Sequence, residues 1–136
     1  MALLEPYVFF DGNCAEAMRA YERLLGGKLE MHRAGDAPGG AAPGSEDRIM
    51  HARLDLGDRS LMASDWMAPM PYEGMKGFHL SLHYPTVEEG KRIFDALAEG
   101  GQVTMPFEKT FWAAGFGMLV DRFGAPWMVN VEGPRE

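Results

Sequence analysis

Gly26-Gly27-Lys28-Leu29-Glu30-Met31 reads GGKLEM, and Gly100-Gly101-Gln102-Val103-Thr104-Met105 reads GGQVTM, 74 positions further on. Each stretch follows an amphipathic helical run, and each of those runs follows a short strand-like segment. An offset near half of a 136-residue chain marks one unit used twice. A protein built from two copies of one unit commonly holds something between them, so the repeat predicts a cleft before any catalytic residue does.

Upstream of the first glycine pair, Pro6-Tyr7-Val8-Phe9-Phe10 is a β-branched and aromatic run ended by the turn signal Asp11-Gly12. Asn13 stands three residues before Glu16 in the manner of a capping box. Met18, Tyr21, Leu24 and Leu25 share one helical face, and Gly26 supplies the stop. Downstream, Lys28 to His32 reads as a strand and Ala34 to Ser45, rich in Gly, Pro and Ala, as a mobile loop. Ile49 to Leu56 and Ser60 to Ser64 read as strands joined by a tight turn at Gly57-Asp58.

The second copy repeats the order. Phe78 to Tyr84 is a strand, Thr86 and Glu89 form a capping box, and Val87, Phe94, Leu97 and Ala98 give the helix its apolar stripe. Gln102 to Met105 is a strand, and Phe107 to Phe116 an aromatic-rich loop. Gly117 to Val120 and Trp127 to Val131 are strands joined by Asp121-Arg122-Phe123-Gly124. The predicted fold class is α+β, with tandem βαβββ modules over about 5–65 and 78–131 forming curved mixed sheets around a cleft. The whole chain, 1–136, is then one domain, with a linker over 66–77 heavy in Met, Pro and Gly.

Composition excludes several classes. With 46% hydrophobic and 24% charged residues the chain reads as an ordinary globular protein. A net charge of −7 without a basic stripe argues against nucleic acid. No apolar run approaches the roughly 20 residues of a membrane span, and the N-terminal stretch lacks the pattern of a signal peptide. A single cysteine, Cys14, makes the reducing cytoplasm the expected compartment. Cys14 lies near a predicted helix start, where a thiolate is favoured, although lone cysteines are commonly inert packing. The eleven methionines suit core filling or an adaptable pocket lining.

Side chains alternate along a strand, which sorts the polar residues by face. Phe78, Leu80 and Leu82 are expected to pack under the helix, leaving His79, Ser81 and His83 toward a cavity. Likewise Ala52, Leu54 and Leu56 are expected inward and His51, Arg53 and Asp55 outward. The 74-residue offset maps Glu5 onto His79, so Glu5, Tyr7 and Phe9 should share the cavity side. His51, with Asp65 expected near it on an adjacent strand, reads as a general base or as one half of a structural pair. His32, at a strand end, is expected to be exposed. Phe111, Trp112 and Phe116 read as an apolar lid over an organic ligand, or as a dimer contact. Of Trp127 and Met128, one should be core and the other should line the cavity.

This plan, with the loop FWAAGFG and the ending DRFGAPWMVNV, resembles the vicinal oxygen chelate superfamily of glyoxalase I, bleomycin-resistance proteins and extradiol dioxygenases. The segments PYVFFDGNCAEAM, IMHARLDLGDRSLMASD, EEGKRIFDALAEGG and TFWAAGFGMLVDRFGAPWM look like its PhnB-like subgroup, from about Pro6 to Val131. Some members carry a demethylubiquinone methyltransferase label; here no strand runs into a glycine-rich turn of the type that cradles a nucleotide-like cofactor. In metal-dependent members, the first and last strands of each module supply His or Glu to one divalent ion. Carried over, the resemblance implies Glu5, His79 and Asp65 as metal ligands, with Met128 at the fourth position, where a thioether stands for a carboxylate.

The resemblance implies a small-molecule-binding protein with no assigned reaction. Tyr7, Phe9, Arg53, Ser81, His83, Phe111, Trp112, Phe116 and Met128 would contact the ligand, and His51 and His79 would carry any catalysis. Alternatives are a divalent-metal-dependent lyase, isomerase or dioxygenase, and a non-catalytic protein that sequesters an antibiotic. A homodimer is expected from the same resemblance.

Overall fold

The computed structural model describes residues 2–41, 43–67 and 69–133. The chain divides into two compact units, Met1–Gly74 and Met75–Glu136. The first unit runs β1 (Tyr7–Phe10), α1 (Cys14–Leu25), β2 (Lys28–Arg33), a 3-10 turn (Ala34–Asp36), β3 (Ile49–Asp55) and β4 (Ser60–Asp65). Its sheet has the order β1-β4-β3-β2, with β1 parallel to β4 and the other neighbours antiparallel. The second unit runs β5 (Leu80–Tyr84), α2 (Val87–Ala98), β6 (Gln102–Glu108), β7 (Ala113–Val120) and β8 (Pro126–Glu132). Its order is β5-β8-β7-β6, again with the first and last strands parallel.

The repeated glycine pairs have a physical reason. Gly26 and Gly100 take positive φ of 81° and 77°, a region that strains any residue with a Cβ, so each helix ends at a glycine. The second glycine of each pair passes against the neighbouring strand: a Cβ on Gly27 would run into the Asp55 carbonyl oxygen, and one on Gly101 into that of Val120. The next residues then pair in register, Lys28 with Asp55 and Gln102 with Val120.

In each unit the helix covers one face of the sheet. Val8, Phe10, Ala52, Leu54, Leu61 and Ala63 are buried with Cys14, Ala17, Met18 and Tyr21 of α1. In the second unit Leu80, Leu119, Trp127, Val129 and Val131 are buried with Ile93, Phe94 and Leu97 of α2. There β7 is notched. A Cβ on Gly115 would lie 2.5 Å from Phe107 Cζ, one on Gly117 2.7 Å from Phe94 Cε2, and one on Gly90 2.6 Å from Val131 Cγ2. The missing side chains seat the Phe94 and Phe107 rings, whose centroids are 5.5 Å apart.

Two buried carboxylates tie the backbone together. Asp65 Oδ1 accepts from the amides of Gly12 (2.8 Å) and Cys14 (3.0 Å), and Oδ2 from that of Ile49 (2.8 Å). It therefore caps α1 and fastens β3 at once, the role expected of Asn13, which makes no side-chain cap bond. Asp121 Oδ1 accepts from the amides of Phe123 and Ala125 (both 2.9 Å), while Oδ2 accepts from Trp127 Nε1 (2.8 Å), which closes the β7–β8 turn. At α2 the expected cap forms, with the Glu89 amide donating to Thr86 Oγ1 at 3.2 Å.

Three expectations need correction. Leu56 is 38% exposed and Phe78 41% exposed, because β3 ends at Asp55 and β5 starts only at Leu80. The aromatic loop shrinks to 109–112, since β6 continues to Glu108 and β7 begins at Ala113. The notch explains it: the half-buried Phe107 ring lies over Gly115, and the two belong to paired strands. Asp65, expected on the open side, is 2% exposed on the helix side.

Three measurements check this packing. Asp65→Ala leaves three amides without an acceptor, those of Cys14 and Ile49 buried, and should cost about 3 kcal/mol, lowering Tm by roughly 10 °C; a Tm within about 2 °C of the parent contradicts the role. Gly90→Ala, which at an open helical site gains about 1 kcal/mol, should here lose about 1–3 kcal/mol in urea unfolding, because a buried Val131 methyl occupies the space. Burial and then the Asp65 charge push the Cys14 thiol up to about 12. The native protein should therefore resist a disulfide reagent at neutral pH and yield its single thiol only when unfolded.

Candidate functional site

The faces turned away from the helices carry the chemistry. On the first sheet the register sets Tyr7 beside Met62, Met62 beside Arg53, and Arg53 beside Glu30. One row along, Phe9 pairs with Ser64 and His51 with His32. Tyr7 and Phe9 are each 39% exposed, yet their rings are held among neighbours. A chain of rings crosses the face: His51 to Tyr7 at 5.7 Å, Tyr7 to Phe9 at 5.2 Å, Phe9 edge-on to Trp66 at 5.3 Å, and Trp66 to Tyr72 at 6.5 Å.

Polar atoms fix these rings in place. The Tyr7 hydroxyl shares a 3.2 Å hydrogen bond with His51 Nδ1. The Tyr72 hydroxyl donates to the Phe9 carbonyl at 2.6 Å, and Trp66 Nε1 donates to the Met70 carbonyl at 2.7 Å. Burial, then the Asp11 and Asp65 charges, raise the Tyr72 phenol above its ordinary 10.0. It stays a donor at neutral pH, and its contribution is lost only as pH rises through the folded value. Arg53 Nε donates to Ser60 Oγ at 3.0 Å. The segment after β4, read from sequence only as a linker, thus adds two aromatic walls to the site.

A shallow cavity of about 460 Å³ flanks this face, bounded by Ala34, Ala37, Met50, Trp66 and Met67 among others. Arg48 braces its wall by donating to the Trp66 carbonyl at 2.9 Å and pairing with Asp11 at 3.0 Å. Met50 reaches it because β3 bulges there: His32 pairs with His51 but Arg33 pairs with Ile49.

On the second sheet Ser81 pairs with Met128, Met128 with Met118, and His83 with Asn130, itself paired with Phe116. Ser81 Oγ lies 3.2 Å from His83 Nε2, and Asn130 Nδ2 lies 3.4 Å from His83 Nδ1. Trp127 is buried and Met128 half-buried on the opposite side, which assigns the two faces that sequence left open. Trp112 packs edge-on with Phe111 at 4.8 Å and with Phe116 at 5.5 Å. Phe111 is 97% exposed and Trp112 50%, so within its unit this cluster projects into solvent. His79 is exposed one residue before β5.

The expected metal set does not fit. Tyr7 and Ser81 are equivalent in the repeat, and their partners on the last strands are Met62 and Met128. The counterpart of Met128 is therefore Met62 and not Asp65, whose oxygens are taken by three amides on the opposite face. Glu5 accepts from the Ser60 amide. Among the described residues no three His, Cys, Asp or Glu side chains group as metal ligands. Two thioethers at the carboxylate positions are a poor donor set for a hard or borderline ion. The His51–Asp65 pairing fails for the same reason: Asp65 faces the core, and His51 takes Tyr7 instead.

Comparison with known proteins agrees with this architecture. A model of the Glyoxalase/Bleomycin resistance protein/Dioxygenase superfamily matches residues 3–129. Protein YjdN of Escherichia coli K12 is 40% identical over 139 residues, covering 94% of each chain. The crystal structure of PA1353 from Pseudomonas aeruginosa superposes with a TM-score of 0.92 at 51% identity, over 97% of this chain and 98% of that one. The PhnB protein from Bacillus cereus shares the fold, with a TM-score of 0.79 at 24% identity over 96% and 99% of the two chains. The duplicated βαβββ units, their registers and these matches make the chain a member of the glyoxalase/bleomycin-resistance/dioxygenase superfamily.

Proposed function

We propose that this protein is a PhnB-like small-molecule-binding member of its superfamily, and that the open face of the first sheet receives an organic ligand with an aromatic or flat apolar body. The observation that carries this reading is the line of rings His51–Tyr7–Phe9–Trp66–Tyr72, braced by hydrogen bonds and left partly uncovered. Exposed aromatic surface is costly in water unless something covers it, and rings locked in place lose little entropy when a ligand stacks on them. Tyr7 and His51 supply a donor and an acceptor that orient the ligand, and the half-buried Met62 gives an adaptable floor. In the second unit Ser81, His83, Met128 and Phe116 present a similar mixed surface, with Phe111 and Trp112 beside it.

Retention of a reacting molecule by a metal is disfavoured on the ligand set already described, so sequestration without chemistry is the second reading. A homodimer in the cytoplasm completes the proposal. The 97% exposed Phe111 ring supports the dimer, and the free buried Cys14 is compatible with a reducing compartment.

Isothermal titration with a panel of aromatic carboxylates, amines and planar antibiotics tests the reading. At least one compound should bind with stoichiometry near one per chain, and Tyr7→Ala should weaken it about tenfold or more while Tm moves by only a few degrees. Binding that survives Tyr7→Ala and Phe9→Ala unchanged removes this face as the site.

A further inference from the structure

Ser81 and His83 are two residues apart on β5, so the pleat aims both side chains to one side of the sheet. Asn130 is the register partner of His83 on the adjacent β8. The serine hydroxyl lies 3.2 Å from one imidazole nitrogen, Nε2, and the asparagine amide 3.4 Å from the other, Nδ1. A hydroxyl on one nitrogen and an orienting polar group on the other is the arrangement that activates a serine. His83 and Asn130 also border an open concavity of about 750 Å³, together with Tyr84, Pro85, Glu132 and Gly133. Ser81 lies outside that lining, so an ester reaches its hydroxyl from the His83 edge of the concavity.

We propose that Ser81 is a nucleophile toward activated esters, with His83 as its general base and Asn130 as a positioning residue. This assignment stands apart from ligand binding on the first sheet. With the Asn130 amide nitrogen donating to Nδ1, the ring proton sits on Nε2 and the serine is idle. A half-turn of the amide presents Oδ1 to Nδ1–H and frees the Nε2 lone pair. Ser81 Oγ then attacks the ester carbonyl carbon as its proton passes to Nε2. The carbon–oxygen bond to the leaving alcohol breaks, and His83 returns the proton to that alcohol. Water, deprotonated in turn by His83, releases the carboxylic acid and restores the serine.

The test uses p-nitrophenyl acetate as the acyl donor and the full-length chain. Peptide mass analysis should find the acetyl group on Ser81, and Ser81→Ala should abolish that label. His83→Gln should slow acylation by about 100-fold. Asn130→Asp, whose carboxylate can only accept from Nδ1–H, should speed it severalfold, a gain that a purely structural asparagine would not give. All three positions lie on the sheet's open face, so thermal midpoints near the parent value confirm intact folding. Acetyl label elsewhere but not on Ser81, or Ser81→Ala and His83→Gln hydrolysing at the parent rate, overturns the proposal. An Asn130→Asp variant no faster than the parent overturns the positioning role.

Discussion

The second glycine of each GG pair sets the geometry on which the rest depends. It lets the chain leave a helix and pass within touching distance of a carbonyl oxygen on the neighbouring strand, Asp55 in one unit and Val120 in the other. Any side chain there would push the helix-to-strand connection away from the sheet. The register following that contact decides which residues face the helix and which face outward. One steric constraint, met twice, therefore fixes the chemistry of two surfaces.

Those surfaces divide the labour cleanly. The helix sides are closed, apolar and held by carboxylates that never reach a ligand: Asp65 and Asp121 are each committed to three donors. The outward sides keep imidazoles, hydroxyls, amides and thioethers with room to meet a small molecule. The acids most able to bind a hard cation serve the backbone, whereas Met62 and Met128 occupy the centre of each outward face. That allocation leaves thioethers at the positions where the resemblance to metal-dependent members implies carboxylates.

Much of this was legible in the residues. The 74-residue repeat gave two βαβββ units, and strand alternation placed Tyr7, Phe9, His51, Ser81 and His83 on the outward faces. What escaped reading depended on contacts between distant segments. The Asp65 cap reaches over 50 residues to Gly12 and Cys14, so local capping rules pointed to Asn13 instead. Phe107 and Gly115 looked like loop because their complementarity, a ring seated where side chains are missing, appears only when two strands pair. Met62 could have been found by applying the repeat through the strand pairing, since the connection between the second and third strands is much shorter in the second unit (109–112 against 34–48) and shifts a linear count. Tyr72 gave no periodic signal; its place among Met, Pro and Gly hid a ring that folds back onto β1.

The thioethers carry a further consequence. Met62, Met118 and Met128 are half-buried on the outward faces, within reach of small oxidants, while Met18 is sealed under a helix. Peroxide converts an accessible thioether to a polar, chiral sulfoxide. Oxidative wear would thus roughen the floor of each face while leaving the interior sound, and the molecule would lose recognition long before it lost its shape.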